Sequence, residues 1–123
     1  MEEFVLGTME KRFADLIWDR APVTTAELVK QCDMAFGWKR TTTYTMLKRL
    51  CQRNLFKMEH SIVTVLVPRE EFLSNRSRNF VNETFGGSLP AFIATFTRNR
   101  SLSREDADAL QKLIDESRKE GSV

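Results

Sequence analysis

The chain has few residues that carry out chemistry. It contains two cysteines, Cys32 and Cys51, and one histidine, His60. Two cysteines are too few for a disulfide scaffold, and a single imidazole excludes a zinc site built on several histidines. No glycine-rich phosphate loop is present, since Gly86 and Gly87 form only a pair. The sequence therefore predicts no enzyme activity, no metal and no cofactor.

Long apolar segments are also missing. No apolar run approaches the ~20 residues that a membrane-spanning helix needs, so no membrane insertion is expected. Residues 1–4 carry no lysine or arginine, which argues against a secretory signal peptide. The two cysteines are interpreted as buried small hydrophobic residues in a reducing compartment. These absences predict a cytoplasmic protein.

Acidic residues are absent from one segment of the chain. Residues 34–58 contain no carboxylate, but they carry Lys39, Arg40, Lys48, Arg49, Arg53 and Lys57. The formal net charge of the chain is +2, so this +6 segment leaves −4 for all the other residues. Positive charge concentrated in this way is typical of a surface that binds a polyanion, and nucleic acid is the usual one.

Hydrophobic spacing predicts three helices before residue 54. Apolar residues recur at intervals of three and four over residues 9–20, with Thr8 as the expected N-cap. The sequence Thr24-Thr25-Ala26-Glu27 is a capping box, which predicts the start of a second helix that ends before Gly37. A third helix is predicted from about Lys39 to Arg53.

The third predicted helix has two different faces. At about 100° per residue, one face collects Thr43, Met46, Leu47, Leu50 and Cys51, with Tyr44 at its edge. The other face collects Thr41, Thr42, Thr45, Lys48, Arg49 and Gln52. An ordinary solvated face would carry acids that pair with the cations four residues away. Hydroxyls and cations without acids instead suit contacts to phosphates and base edges. A merely solvated basic face is the alternative.

After Asn54 the hydrophobic period changes to two. Residues 55–58 and 62–67 favour β-structure, and Glu59-His60-Ser61 between them is a short polar turn, so a β-hairpin is predicted. Two helices joined by a short glycine-containing turn and followed by a hairpin form a winged helix-turn-helix. His60 at the hairpin tip either contacts DNA or is an inert turn residue.

The C-terminal part is predicted to form three helical segments. Ser88 and Ser103 are the expected N-caps of the second and third segments, and Gly86-Gly87 ends the first. The apolar side chains expected to form a dimer core are Phe72, Phe80, Phe85, Leu89, Phe92, Ile93, Phe96, Leu110, Leu113 and Ile114. About 50 residues of helix do not readily close a core alone. Pairing with a second copy is therefore favoured over packing back onto the N-terminal part in a monomer, and over a ligand pocket.

Three segments of the sequence resemble the penicillinase and methicillin-resistance repressor family. The most specific is Gly37-Trp38-Lys39-Arg40-Thr41-Thr42-Thr43-Tyr44-Thr45-Met46-Leu47-Lys48-Arg49-Leu50, and the others are Leu16-Ile17-Trp18 and residues 24–28. That family also includes copper-responsive repressors. The resemblance continues through the hairpin and, more weakly, into the C-terminal helices. It implies a dimeric transcriptional repressor that binds a palindromic operator through the third helix. By the resemblance, the matching DNA-facing positions are Trp38, Lys39, Thr41, Thr42, Thr45 and Arg49.

The sequence departs from the family pattern in two ways. The copper-responsive branch carries a C-terminal Cys-x-Cys motif, but no cysteine follows Cys51 here, so copper sensing of that kind is not expected. In the antibiotic-responsive branch, induction cuts the repressor at an Asn–Phe bond, which implies a membrane sensor protease as a partner. The matching position here is Thr95-Phe96, where threonine replaces asparagine. The resemblance therefore leaves the inducing signal open.

The expected fold is mainly α with a small β-hairpin. It comprises a winged helix-turn-helix DNA-binding domain over residues 1–68 and a helical dimerisation region over residues 69–123. The predicted DNA-binding residues are Trp38, Lys39, Arg40, Thr41, Thr42, Tyr44, Thr45, Lys48, Arg49, Lys57 and His60. Double-stranded DNA and a second copy of the chain are the expected partners. The alternative function is a protein–protein adaptor whose basic face meets an acidic partner.

Overall fold

Six helices and three short strands make up the computed structural model, which describes residues 6–121, with side chains through Arg118. The helices are α1 (Thr8–Arg20), α2 (Thr25–Phe36), α3 (Arg40–Gln52), α4 (Arg69–Phe85), α5 (Leu89–Phe96) and α6 (Arg104–Gly121). The strands are β1 (Val23–Thr24), β2 (Phe56–Glu59) and β3 (Ile62–Val65). The predicted fold class is confirmed. No described helix is long and apolar enough to cross a membrane. Residues 1–4, which bear on the signal-peptide expectation, lie outside the described part.

Side-chain caps fix the starts of three helices where the sequence predicts them. Thr24 Oγ1 accepts a hydrogen bond from the Glu27 amide at 3.1 Å at the start of α2. Ser88 Oγ accepts one from the Ala91 amide at 3.1 Å, and Ser103 Oγ accepts one from the Asp106 amide at 3.0 Å. These oxygens satisfy amides that have no partner inside the helix, which is why short polar residues mark helix starts so reliably.

The start of α1 differs from the prediction by one residue. Gly7 is the N-cap and has no side chain to offer, while Thr8 is the first helical residue. The Gly7 carbonyl accepts a hydrogen bond from the Lys11 amide at 2.8 Å, so the first turn closes around the glycine. The expectation that Thr8 caps this helix is therefore wrong.

The predicted hairpin is part of a three-stranded antiparallel sheet with the order β1-β3-β2. Within the hairpin, Phe56 pairs with Val65 and Glu59 pairs with Ile62. On the other side of β3, Val23 pairs with Val63. The two-residue strand β1 thus attaches the segment between α1 and α2 to the hairpin, and both β1 and β2 are edge strands.

The turn between β2 and β3 forces two side-chain-bearing residues into the left-handed region. His60 has φ 53° and Ser61 has φ 61°. Two-residue hairpin loops favour positive φ at both positions, because that twist matches the twist of the flanking strands. Glycine and asparagine adopt this conformation most easily, whereas a non-glycine residue there costs about 1–2 kcal/mol.

Replacing Ser61 with glycine should stabilise the protein. Relief of the left-handed strain exceeds the conformational entropy that glycine loses, so we expect the free energy of unfolding to rise by roughly 0.5–1 kcal/mol. Thermal denaturation should show a melting temperature that is higher by a few degrees. Ser101→Gly is the matched control, since Ser101 is exposed and has no positive φ. An equal gain from both variants would contradict the strain argument.

The hydrophobic core lies among the first three helices, the sheet and the start of α4. Its buried side chains are Phe13, Ala14, Ile17, Val23, Leu28, Cys32, Leu47, Leu50, Leu55, Phe56, Val63 and Phe72. Burying each of the larger ones contributes about 1.5–3 kcal/mol. This core holds α2 and α3 against α1 and leaves one side of α3 in solvent.

Arg69 joins the first turn of α4 to α1. Its Nη2 donates to Asp19 Oδ1 at 2.7 Å and to the Asp15 carbonyl at 2.9 Å. The guanidinium also lies over the Trp18 ring, 5.5 Å from its centroid, and Trp18 Nε1 donates to the Val67 carbonyl at 2.9 Å. The hydrogen bond to Asp19 is the main reason that the pKa of Arg69 is raised. The start of α4 therefore belongs to the winged part of the molecule.

The chain divides into two compact units, one ending at Phe80 and the other beginning at Val81. This division falls within α4, whereas the sequence predicts a boundary after Pro68. We call the first part the winged unit and the second part the C-terminal unit. That residues 69–123 form a dimerisation region stays a prediction.

Burial should make Cys32 chemically inert in the native protein. Desolvation raises the pKa of its thiol to about 11, against an ordinary 9.0, and a hydrogen bond with Thr43 offsets this only in part. The neutral thiol is thus favoured, and at pH 8 the reactive thiolate should be about a hundredfold scarcer than for an ordinary thiol. Iodoacetamide should label Cys32 slowly in the native protein and fully in guanidinium chloride. Rapid native labelling at this position would contradict its burial.

Candidate nucleic-acid interface

Helix α3 has the two faces that its sequence predicts. Thr43, Leu47 and Leu50 are buried, while Met46, Cys51 and Tyr44 are half-buried. The opposite face is exposed and consists of Thr41, Thr42, Thr45, Lys48, Arg49 and Gln52. The buried face fixes the rotation of α3 about its axis, so the exposed face is presented to solvent as a fixed surface. We call the exposed side chains of α3, with Lys39 and Arg40 at its N-terminal end, the α3 face.

The turn between α2 and α3 sets the direction of α3. Gly37 ends α2 with φ 68°, a left-handed conformation in which a side chain would be strained. Its amide donates to the Asp33 carbonyl at 2.9 Å. The Trp38 ring then packs against Phe36 and Phe13, with ring centroids 4.9 and 5.3 Å apart. Half-buried Trp38 thus anchors the start of α3; a DNA contact for its exposed remainder stays a prediction.

The cations of the α3 face have no acidic partners among the residues that the structure describes. Within the part of the chain that the structure describes, no carboxylate lies within ion-pair distance of Lys39, Arg40, Lys48 or Arg49. The Arg40 guanidinium lies over the Tyr44 ring at 5.4 Å, and Arg49 Nη1 lies 3.8 Å from Met46 Sδ. Four unneutralised charges on a small surface create a positive potential that an anionic polymer would relieve.

The threonines of the α3 face keep part of their hydrogen-bonding capacity. Thr45 Oγ1 donates to the Thr41 carbonyl at 2.9 Å, which leaves its oxygen free to accept. Thr41 and Thr42 lie exposed in the first turn of α3. First-turn amides and short hydroxyls suit a phosphate, because the positive end of the helix dipole lies there.

The hairpin tip carries charges that are already paired. Lys57 Nζ lies 2.8 Å from Glu59 Oε2, and this pairing raises the pKa of Lys57 and lowers that of Glu59. His60 Nε2 lies 3.9 Å from Glu59 Oε1, and the His60 side chain is 89% exposed. The predicted DNA-binding residues Lys57 and His60 are therefore together at the tip, with an acid between them.

The C-terminal unit exposes a large apolar surface. None of its side chains is buried within residues 81–118. Phe96 is 65% exposed, Leu89 and Leu113 are each 58% exposed, and Ile114 is 51% exposed. Phe92, Phe96, Leu110 and Leu113 are among the residues that line an apolar groove of about 330 Å³. Exposed large apolar patches mark interaction surfaces.

Phe72 does not belong to this surface, although the sequence groups it with the dimer core. It is 6% exposed, and its ring lies 5.5 Å from the Trp18 ring in the winged unit. Because it is already packed within its own chain, it is not free to contact a second copy. The assignment of Phe72 to a dimer core is corrected accordingly.

The Thr95–Phe96 bond, which the resemblance predicts as the counterpart of a cleavage site, lies in the last turn of α5. Thr95 and Phe96 are both exposed, and the amide of the following C-cap residue, Thr97, donates to the Ile93 carbonyl at 3.0 Å. The peptide is thus accessible but held in helical form. Regulatory cleavage there stays a prediction.

No group of three or more His, Cys, Asp or Glu side chains in the described part could hold a metal ion.

Sequence reasoning missed two sets of ion pairs in the winged unit. Nothing local marks Arg69 as the partner of Asp15 and Asp19, because these residues are about fifty positions apart. The pairing of Lys57 with Glu59 did leave a signal. Residues two apart in a strand share a face, so these opposite charges could have been predicted to meet.

Comparison with known proteins gives a consistent family assignment. The family model described as "Penicillinase repressor" matches residues 6–116. The chain is 23% identical to the penicillinase repressor of Bacillus licheniformis over 115 residues, covering 90% of each chain. It is 20% identical to the methicillin resistance regulatory protein MecI of Staphylococcus aureus (strain Mu50 / ATCC 700699), covering 90% of this chain and 94% of that protein. MecI of Mammaliicoccus sciuri is 19% identical over the same shares.

Proposed function

The chain belongs to the penicillinase repressor family, and we propose that it is a homodimeric repressor of transcription that binds a palindromic operator in double-stranded DNA. Its curated relatives are named as repressors and regulatory proteins, so it is a regulator and not an enzyme. In this proposal helix α3 of each protomer enters the major groove, and the two protomers occupy successive half-sites on one side of the duplex.

The α3 face is the observation that carries the proposal. It is exposed along its length, and its cations have no acidic partner in the described part of the chain. Its hydroxyls are short enough to approach the duplex closely. A major groove about 12 Å wide admits an α-helix. Arg49 and the threonines would specify bases, while Lys39, Arg40 and Lys48 would hold phosphates.

The hairpin supplies the second set of contacts. Its tip projects Lys57 and His60 into solvent. In the proposed complex the hairpin, which we call the wing, lies against the DNA backbone beside the groove that α3 occupies. Contacts of this kind fix the register of the protein on the duplex and carry no base information themselves.

The exposed apolar surface of the C-terminal unit supports the dimer. Phe96, Leu113 and Ile114 are each about half to two-thirds exposed, so a partner that buried them would contribute roughly 1–2 kcal/mol for each side chain. A two-fold dimer buries the same surface on both copies, and this symmetry matches that of a palindromic operator. The C-terminal unit would then set the distance between the two α3 helices.

Binding to the upstream region of its own gene tests the proposal most directly. Fluorescence anisotropy would compare that duplex with a scrambled duplex of equal length at near-physiological salt. We expect the specific duplex to bind roughly 10³-fold more tightly or better, with two protomers per site. Equal weak binding to both duplexes would overturn operator recognition. The α3 face would then be a surface for an acidic protein, as the adaptor alternative requires.

A further inference from the structure

One carboxylate interrupts an otherwise acid-free part of the winged unit. Between residues 34 and 68 the sole acidic residue is Glu59, which lies at the tip of the wing. It is paired at 2.8 Å with Lys57, which is the sole lysine or arginine of residues 54–68. The single full cation of the wing is therefore paired with the single acid, while the cations of the α3 face have no such partner among the described residues.

The strand geometry brings these two charges together. Lys57 and Glu59 are two residues apart on the edge strand β2, so their side chains lie on the same face of the sheet. Their neighbours across the hairpin on β3 are Thr64 and Ile62, which are uncharged. Within the described residues, His60 is the one other titratable group at ion-pair distance from this pair, with Nε2 3.9 Å from Glu59 Oε1.

We propose that Glu59 limits the affinity of the wing for DNA by pairing with Lys57, which would otherwise contact a phosphate. This inference rests on the proposed DNA-binding function and adds to it a residue that opposes binding. A phosphate that approaches Lys57 must displace the Glu59 carboxylate and remain close to its negative charge. Each wing thus contributes less than one phosphate contact, and most of the electrostatic attraction comes from the α3 face.

The salt dependence of DNA binding gives this idea a measurable form. Each phosphate that a protein neutralises contributes about −0.9 to the slope of log K against log salt concentration. A wing whose lysine is paired with an acid contributes little to that slope. Removing the acid should release the lysine, raise the affinity and make the slope steeper, whatever the DNA sequence, because phosphates are the same on every duplex.

Glu59→Gln tests the proposal on both scrambled and operator duplex. Two unit charges 4 Å apart in water interact by about 1 kcal/mol, which corresponds to roughly a fivefold change in affinity. We expect the variant to bind scrambled duplex roughly fivefold more tightly per wing, with a slope steeper by about 0.9 per wing. In the double variant Lys57→Gln/Glu59→Gln both gains should disappear. Lys57→Gln should weaken binding less in the wild-type background than in the Glu59→Gln background, because the lysine contributes fully only when its acidic partner is absent.

Glu71→Gln is the matched control, because it removes the same charge from an exposed acid at the start of α4. A thermal melt of each variant would establish that the fold is unchanged. A gain in Glu59→Gln no larger than in the control would overturn the proposal. The proposal would also be overturned if Lys57→Gln lowered the DNA affinity equally in the wild-type and Glu59→Gln backgrounds. Lys57 would then contact phosphate whether or not Glu59 is present. Equal binding of the wild-type protein to operator and scrambled duplex would overturn operator recognition, yet the coupling of Lys57 and Glu59 would still be measured on the scrambled duplex.

Discussion

Replacing Leu113 with glutamate should convert the proposed dimer into a monomer and remove most of its operator affinity. Leu113 is 58% exposed and lines the apolar groove of the C-terminal unit together with Phe92 and Phe96. Burying a carboxylate in such an interface without a partner is costly, so association should fail. Sedimentation equilibrium at micromolar concentration should then give the monomer mass, 14.3 kDa.

The loss of DNA binding follows from the loss of the second half-site. In a dimer the second α3 helix binds as an intramolecular event, and such linkage commonly adds 10²–10⁴-fold to affinity. We therefore expect Leu113→Glu to weaken operator binding by at least about a hundredfold. Weak binding to scrambled duplex should persist, because each monomer keeps its α3 face.

Gln111→Glu is the matched control for this variant. It introduces the same charge into the same helix at an exposed polar position. It should remain dimeric and should bind the operator within a fewfold of the wild-type protein. If Leu113→Glu were still a dimer at the concentration at which the wild type is dimeric, this surface would not be the dimer interface. Circular dichroism would show whether either variant has lost helix.

The parts of the fold that were predicted correctly are those in which local and tertiary preferences agree. In α3 the helical period separates Leu47 and Leu50 from Lys48 and Arg49, and the core buries the first pair and leaves the second pair in solvent. Likewise, Ser88 and Ser103 cap helices through bonds that span three residues, so the sequence contains all that is needed.

The features that sequence reasoning missed depend on distant residues or on chain geometry. Strand β1 has two residues, too few for any period, and it is a strand because β3 pairs with it. Phe72 is apolar on a helix that serves both units, and nothing local shows which of them it packs into. Trp38 precedes the helix whose sequence predicts DNA binding, yet its ring packs against Phe13, twenty-five positions away.

The candidate interface was thus predictable in outline and not in detail. Charge and helical period located the α3 face, because both are properties of a single segment. They do not reveal whether a side chain is free to bind. Lys57 counts toward the +6 of residues 34–58, but its charge is already paired with Glu59. The contribution of a cation to DNA binding therefore depends on its neighbours as much as on its place in the sequence.

Arg49→Ala should have the largest effect of any single change on the α3 face. Arg49 is exposed in the last turn of α3, and a guanidinium can bind guanine O6 and N7 with two hydrogen bonds. If it reads a base, its loss should cost about 1–3 kcal/mol on the operator for each protomer. Anisotropy titrations against operators with single base-pair changes should show that discrimination is relaxed at one position in each half-site and kept at the others.

The control for this variant is Arg98→Ala, which removes an exposed arginine from the connection between α5 and α6. It changes the net charge equally and should leave operator affinity nearly unchanged. The comparison between operator and scrambled duplex then decides the role of Arg49. A loss confined to the operator makes it a base-reading residue, since random sequence offers no correct base to lose. Equal losses on both duplexes would contradict that role and make Arg49 a phosphate contact, with specificity left to the threonines of the α3 face.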